Sequence, residues 1–175
     1  MELNLTKNLV LTGMMGVGKS TIGERLAKKL SYKFVDIDKM IESQEGCSIN
    51  SIFRKKSEEY FRKLENKITL NEIKKKKCVI SLGGGAFLNQ KIRRAVKIST
   101  VSFWLDVNLS ILTNRLSKSK MRPLLIEKNL NETVKKIYLE RKKIYNEASF
   151  RIKCSFEKKD EIVKKILKLY ENSRN

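Results

Sequence analysis

Histidine is absent from the sequence, so a carboxylate is left as the side chain to accept a proton from a substrate. Cysteine is scarce: Cys47, Cys78 and Cys154 are odd in number, lie far apart and form no C-x-x-C pair, which argues against a disulfide framework and against a zinc site. The early apolar stretch from Leu9 to Leu11 is too short for a signal sequence or a membrane span. These absences favour a reducing compartment, and we expect the protein to be cytoplasmic.

The length and composition indicate one globular domain. The 175 residues suffice to bury a core without disulfide or metal support, and we expect residues 1–175 to form a single unit. Hydrophobic residues make up 41% and charged residues 33% of the chain, as in ordinary folded proteins. Disorder of the whole chain is therefore not expected.

Charge of one sign is in excess, with 39 Lys and Arg against 19 Asp and Glu and a net charge of +20. Such a surface attracts polyanions, and it also attracts small phosphorylated or carboxylated molecules. The basic residues are spread along the chain rather than interleaved with aromatics, which weakens a nucleic-acid interpretation. A general bias towards Lys, Asn and Ile explains the excess equally well.

The first forty residues predict a strand, a helix and a second strand. A buried strand from Asn8 to Thr12 stops at Gly13, and apolar residues then recur at helical spacing after Lys19. Phe34 to Asp38 is predicted to be the second strand, with acidic residues at its carboxyl end. This opening predicts an α/β fold with a parallel sheet.

The remainder continues the alternation of helices and strands. A long loop is expected at 117–129, which is basic and holds Pro123, the only proline. The other predicted elements, in chain order, are helices near 49–53 and 61–73, strands 78–82 and 101–105, a helix near 109–116, a helix 131–148, a strand 150–154 and a terminal amphipathic helix.

The segment from Gly13 to Ser20 matches the phosphate-binding pattern G-x-x-x-x-G-K-[ST] in full and lies between a predicted strand and a predicted helix. Its glycines permit backbone N–H groups to converge on phosphate oxygens, beside the positive end of the following helix. Lys19 is expected to reach the β- and γ-phosphates, and the Ser20 hydroxyl to bind Mg²⁺. A merely connecting turn is the weaker alternative.

Two carboxylates, Asp36 and Asp38, come at the end of the second predicted strand, the edge where ligands bind in open α/β sheets. Alternate residues of a strand point to one side, so both are expected to face one site. One would hold magnesium through water, and the other would accept a hydroxyl proton. The alternative is a solvated strand end or a helix N-cap, since Asp38 precedes Met40 and Ile41.

Three further features are weaker individually. The glycine turn Gly83-Gly84-Gly85 follows a buried strand and brings unhindered backbone to the same edge, although an ordinary turn explains it as well. Arg62 and Arg141 lie in helical segments, where a solvated arginine is common. Glu65, three residues beyond Arg62, shares its helix face and can orient a guanidinium that binds a carboxylate.

The basic loop contains Arg122-Pro123-Leu124-Leu125, which is predicted to close over a triphosphate, with Arg122 meeting the charge that develops in phosphoryl transfer. Arg115, shortly before this loop, is placed to stack on a nucleotide base. The alternative is a flexible basic loop without a catalytic part.

Together these segments resemble the shikimate kinases, a family within the nucleoside-monophosphate-kinase branch of P-loop proteins. The resemblance covers nearly the whole chain. Two departures stand out: Ser57 occupies a position where members commonly have glycine, and Lys143-Ile144 replaces a usual Pro-Leu. The segments that carry the resemblance are Gly13 to Thr21, Asp36 to Asp38, Glu58 to Glu65, Gly83 to Gly85, Arg122 to Leu125 and Glu140 to Tyr145.

The resemblance implies a three-layer αβα fold with a five-stranded parallel sheet in the order 2-3-1-4-5, a substrate-binding region at about 37–65 and a lid at about 117–129. It implies that Lys19 and Arg122 bind the phosphates of ATP and that Arg115 contacts adenine. Ser20, and Asp36 through a water, would hold Mg²⁺. The implied nucleotide-binding segment is Gly13, Met14, Met15, Gly16, Val17, Gly18, Lys19, Ser20 and Thr21.

For the acceptor, the resemblance implies that Asp38 binds the ring hydroxyls of shikimate and acts as the base. The shikimate carboxylate would be held by Arg62, Arg141 and the glycine turn Gly83, Gly84 and Gly85, with Glu65 orienting the arginines. The implied catalytic residues are Asp38, Lys19 and Arg122.

The expected function is MgATP-dependent phosphorylation of the shikimate 3-hydroxyl by a monomer, with no membrane partner and no specific nucleic acid. One rival is a related small-molecule kinase, such as a gluconate-type or nucleoside-monophosphate kinase. The other is a nucleic-acid-binding ATPase that uses the +20 charge.

Overall fold

The computed structural model describes residues 7–118 and 129–173. Five strands and eight α-helices make up this part of the chain. In chain order they are β1 (Asn8–Thr12), α1 (Lys19–Leu30), β2 (Lys33–Asp36), α2 (Ile37–Glu45), α3 (Ile49–Lys55), α4 (Glu58–Ile73), β3 (Cys78–Ser81), α5 (Gln90–Ser99), β4 (Thr100–Asp106), α6 (Leu109–Ser117), α7 (Leu130–Tyr145), β5 (Phe150–Lys153) and α8 (Lys159–Asn172), with a short 3₁₀ turn at Ala86–Leu88.

The strands form one parallel sheet in the order β2-β3-β1-β4-β5, which confirms the predicted fold and strand order. β1 lies in the middle, with Leu11 paired to Ser81 of β3 and to Phe103 of β4. Every residue of β1, β3 and β4 is buried, as expected for parallel strands covered on both faces by helices. The carboxyl ends of β1, β2 and β3 therefore meet at one edge.

One hydrophobic core lies on both sides of this sheet. The first helix shows how the sequence builds it: Ile22, Leu26 and Ala27 of α1 recur at helical spacing and are buried, while Lys28 and Lys29 are exposed in the last turn, where positive charge suits the helix dipole. Within residues 7–118 and 129–173, no helix combines the length and apolar character needed to cross a membrane.

The second strand is shorter than predicted. β2 ends at Asp36, and Ile37 and Asp38 already belong to α2. The side chain of Asp36 accepts a hydrogen bond from the Lys39 amide at 3.3 Å and so caps α2, and this local bond favours helix over strand. The strand assignment of Ile37 and Asp38 was therefore wrong, and strand alternation does not relate the two carboxylates, although Asp36 and Asp38 both line one cavity.

The helix α5 was not predicted, although its signals are present in the sequence. The Asn89 side chain accepts hydrogen bonds from the amides of Lys91 and Ile92 at 2.9 and 3.2 Å, a typical N-cap. Ile92 and Val96, four residues apart, are fully buried. The predicted lid at 117–129 falls largely outside the described residues.

Candidate active site

A cavity of about 770 Å³ opens at the carboxyl ends of β1, β2 and β3, within the size range of small-molecule sites. It is bounded by the segment after β1, the helices α2 and α3, the first half of α4, the segment after β3 and one side chain of α7. The sequence-predicted residues that line it are Met15, Gly16, Gly18, Lys19, Ser20, Thr21, Asp36, Asp38, Arg62, Glu65, Gly83, Gly84, Gly85 and Arg141.

The phosphate-loop segment has the backbone that its glycines predict. Gly13, Gly16 and Gly18 have φ angles of 136°, 78° and 98°, values that side chains rarely permit. α1 begins directly after Gly18, an N-cap residue that makes no side-chain cap bond to the first turn. Free amides at a helix N-terminus and the positive end of the helix dipole favour anions, so this end of the cavity is suited to a phosphate group.

The ammonium group of Lys19 is held at this end by the loop itself. Its Nζ donates to the carbonyl oxygens of Gly13 and Met14 at 2.9 Å each, and the residue is buried. A cation in this position faces anions that enter the cavity. Met14 and Val17 contribute backbone here, since their side chains are buried in the core.

Two oxygen donors lie beside Lys19. The Ser20 hydroxyl donates to Asp36 Oδ2 at 2.6 Å, which links the first turn of α1 to the end of β2. Hydroxyl and carboxylate oxygens are the ligand types that Mg²⁺ prefers, and Mg²⁺ in proteins is usually completed by water and substrate phosphates. The pair therefore fits a magnesium ion that arrives with a nucleotide.

Asp38 and Glu65 meet over Gly83. A Cβ at Gly83 would lie 2.6 Å from Asp38 Oδ1 and 2.8 Å from Glu65 Oε1, so only glycine leaves room for both carboxylates. Glu65 is 2% exposed, and burial raises its pKa, although Arg62 acts against this; the nearby Asp38 charge raises it further. This juxtaposition brings two acidic groups into one half of the cavity.

Arg62 is fixed by two glutamates of its own helix. Its Nη1 donates to Glu65 Oε2 at 2.8 Å, and its Nε and Nη2 donate to Glu58 Oε1 at 3.2 and 3.1 Å. Burial alone would lower the pKa of Arg62, but Glu65 and Glu58 outweigh it and the pKa is raised. The guanidinium is therefore a permanent cation that faces the cavity.

Arg141 reaches the cavity from α7. Its Nη1 donates to the Gly84 carbonyl at 3.0 Å, and the hydroxyl of Tyr145, one turn later, donates to the same oxygen. Lys143 and Ile144 lie within α7, which continues unbroken to Tyr145 despite the departure from the family pattern. α7 thus holds the glycine turn through two side chains.

Two side chains that hold the site residues in place were not predicted from the sequence. Glu58 and Tyr145 lie in segments that carry the family resemblance, but no role was inferred for either. Glu58 was detectable because it is four residues before Arg62 on the same helix face. Tyr145 had no such signal, since its partner Gly84 is 61 residues away.

Arg115 lies in the last turn of α6, and its Nη1 is 3.5 Å from the Val17 carbonyl oxygen. Its side chain therefore borders the outer side of the phosphate-loop segment rather than the main cavity. Arg122, predicted to bind phosphate, lies outside the described residues.

The parallel sheet, the cradle around Lys19 and the arginines across the same cavity define the class: a P-loop phosphotransferase that acts on a small anionic acceptor. The family model for shikimate kinase matches residues 15–171. The chain belongs to the shikimate kinase family, and it is accordingly a kinase that phosphorylates a shikimate hydroxyl with ATP.

Individual relatives agree with this. A shikimate kinase from Sulfurihydrogenibium sp. (strain YO3AOP1) is 43% identical over 161 residues, which cover 92% of this chain and 96% of that protein. The solved structure of a shikimate kinase from Acinetobacter baumannii in complex with shikimate matches with a TM-score of 0.90 and 31% identity, over 95% of this chain and 94% of that one.

A gluconokinase from Sinorhizobium meliloti 1021 is also similar in structure, with a TM-score of 0.59 over 97% of both chains. Its sequence identity is only 18%, so the likeness shows a shared fold and nothing about the acceptor.

Proposed function

We propose that the chain transfers the γ-phosphoryl group of MgATP to the 3-hydroxyl of shikimate, with its triphosphate site around Lys19 and its acceptor site around Asp38 and Arg62. The observation that carries this proposal is that Lys19, Asp38 and Arg62 all line one cavity, which combines the phosphate-loop segment with a guanidinium of the kind that binds carboxylates. In-line transfer requires that arrangement, because donor and acceptor must meet without water between them.

At the nucleotide end, the loop amides and Lys19 would bind the β- and γ-phosphates and neutralise the charge that spreads over the transferred group. The oxygens of Ser20 and Asp36 would hold Mg²⁺, which would neutralise part of the phosphate charge. Arg115 would contact the adenine side, and Arg122 would close over the phosphates as part of a lid at about 117–129.

At the acceptor end, Asp38 would accept a hydrogen bond from the attacking hydroxyl and take its proton. The hydroxyl oxygen forms a bond to the γ-phosphorus while the bond to the bridging oxygen breaks, and ADP leaves with that electron pair. With no histidine in the chain, a carboxylate is the appropriate base. Asp38 is supported by its position over Gly83, within the shared cavity.

The shikimate carboxylate would bind Arg62 and Arg141, with the amides of the glycine turn completing the site. Bidentate pairing of a guanidinium with a carboxylate supplies both energy and orientation. Glu65 would orient Arg62, since it accepts from Nη1 and is nearly fully buried. This half of the cavity favours a hydroxy acid over a nucleotide acceptor, which would need a further phosphate clamp.

A coupled assay of ADP release, with MgATP and one candidate acceptor at a time, tests the proposal. We expect release with shikimate and little with gluconate, a nucleoside monophosphate or buffer, and ³¹P NMR should locate the product phosphate on the 3-hydroxyl. Equal release with another acceptor would refute the choice of substrate. ATP hydrolysis that depends on nucleic acid and falls steeply with salt, without transfer to any acid, would favour the ATPase alternative.

We further propose that the enzyme acts as a monomer in the cytoplasm. The thiols of Cys47, Cys78 and Cys154 are free, which suits a reducing compartment. Burial raises the pKa of Cys154 to about 12, so that this thiol stays protonated and unreactive.

A further inference from the structure

The guanidinium of Arg62 presents three edges, and each has a neighbour. Nη1 donates to Glu65, and the edge formed by Nε and Nη2 donates to one oxygen of Glu58 at 3.2 and 3.1 Å. The end formed by Nη1 and Nη2 points at Gly85, where a Cβ would lie 2.7 and 2.8 Å from the two nitrogens.

The Gly85 end is crowded. The Cα of Gly85 lies one bond length from the point where that Cβ would be, so a carboxylate oxygen at that point would overlap the backbone. The edge formed by Nε and Nη2 is therefore the more open one for a ligand carboxylate that binds Arg62 through two parallel hydrogen bonds. Glu58 occupies this edge.

The two glutamates differ in how firmly they are placed. The Glu65 side chain is 2% exposed and sits in the cavity wall, whereas the Glu58 side chain is 61% exposed and lies in the first turn of α4. An exposed ion pair between residues four apart on a helix is weak, because water solvates both groups well when they separate. Glu58 can leave Arg62 at small cost, and Glu65 remains to orient the guanidinium.

We propose that Glu58 is an internal competitor for the substrate's carboxylate: it occupies the Nε and Nη2 edge of Arg62 and turns away when a ligand carboxylate binds there. The inference rests on the proposed role of Arg62 in binding that carboxylate. Glu58 thereby makes the site selective, since a ligand must bring its own carboxylate to displace it. The competition lowers the apparent affinity for shikimate by the fraction of molecules in which the edge is open.

The chain offers a matched control for this competition. Glu59 is the next residue of the same helical turn, its side chain is 78% exposed, and it pairs with Lys63 at 2.8 Å rather than with Arg62. Glu59→Gln removes the same charge from the same end of α4 as Glu58→Gln does, but leaves Arg62 untouched. The pair of variants separates competition at Arg62 from a general change in charge.

The test is calorimetric titration of each variant with shikimate in the absence of nucleotide. Glu58→Gln should lower the Kd for shikimate about two- to fivefold, the range expected from loss of one exposed ion pair. Glu58→Ala leaves no hydrogen-bond acceptor at this position, and it should lower the Kd at least as much. Glu59→Gln should leave the Kd unchanged. An unchanged or higher Kd in both Glu58 variants, or equal tightening in Glu59→Gln, would overturn the inference.

Two further measurements distinguish failure of the inference about Glu58 from failure of the proposed function. Shikimate methyl ester has no carboxylate to displace Glu58, so its affinity should not improve in Glu58→Gln; an equal improvement would contradict competition. Arg62→Ala tests the underlying site. If Arg62→Ala leaves shikimate binding intact, the proposed acceptor site fails; if it weakens binding while Glu58→Gln does not tighten it, only the role of Glu58 fails.

Discussion

The two ends of the cavity are built in different ways. The phosphate end is local: Lys19 is held by the carbonyls of Gly13 and Met14, six and five residues earlier, and the backbone of the same loop offers further N–H donors. The carboxylate end is assembled from distant segments, with Arg141 of α7 bonded to the carbonyl of Gly84, 57 residues away. Substitutions at the carboxylate end should therefore change acceptor binding and leave nucleotide binding intact.

The largest expected effect is on the step that joins the two ends. Asp38→Asn keeps the shape of the side chain but removes the base, so kcat should fall by about 10²–10⁴-fold. ATP binding, measured by titration, should survive because the phosphate end is unchanged. Turnover similar to that of the unmodified enzyme would remove Asp38 from the mechanism.

Arg62→Ala should break the carboxylate end alone. The KM for shikimate should rise on the order of 10²-fold, since a buried carboxylate, Glu65, and the substrate's own carboxylate lose their partner. The KM for ATP should change little. Arg54→Ala, an exposed arginine of α3, is the control and should leave both constants unchanged; equal effects on the two substrates in Arg62→Ala would contradict a divided site.

Ser57 offers a smaller effect, on stability. It caps α4 through a 3.2 Å bond from the Tyr60 amide, but its φ and ψ of 144° and 165° lie in a region essentially restricted to glycine. Ser57→Gly should raise the free energy of unfolding by about 1 kcal/mol, because relief of strain exceeds the few tenths lost with the cap. Denaturant titration measures this.

Ser48 is the matched control, since it caps α3 in the same way with an ordinary φ of −66°. Ser48→Gly loses a cap without relieving strain, and it should lower the stability slightly. Equal loss of stability in both variants would show that Ser57 is not strained.

The smallest effect concerns pH and Glu65. Burial raises the pKa of this carboxyl above its ordinary value of 4.5, so the folded protein holds the proton more tightly than the unfolded chain. The contribution of this proton to the free energy of unfolding is complete at low pH and is lost as pH rises through the folded-state pKa of Glu65. The stability of the unmodified protein relative to Glu65→Gln should therefore decline from pH 4 upward; a difference that grows with pH would reverse the assigned sign.

The contrast between the local phosphate end and the carboxylate end assembled from distant segments also explains which features the sequence could predict. Gly13 to Ser20 are consecutive, so their pattern predicts the local geometry almost completely. Arg62 and Glu65 were paired correctly because helical spacing brings them together, and the same reasoning extends to Glu58. The strand order came from the resemblance, since no local pattern specifies which strands are neighbours.

Other features depend on tertiary contacts. Asp38 was predicted on a strand and lies on a helix, yet it borders the expected cavity because α2 begins at the sheet edge where β2 ends. Tyr145 meets Gly84 only because α7 packs beside the glycine turn. Local propensity carries no information about such contacts, so they require the folded structure.

The central claim is that a triphosphate and a hydroxy acid meet in one cavity, and a crystal structure of the ternary complex with a non-hydrolysable ATP analogue and shikimate tests it most directly. The account predicts the attacking hydroxyl oxygen about 3–3.5 Å from the γ-phosphorus, with the shikimate carboxylate on Arg62 and the phosphates on Lys19. Shikimate bound outside this cavity, or with its hydroxyls directed away from Lys19, would contradict it.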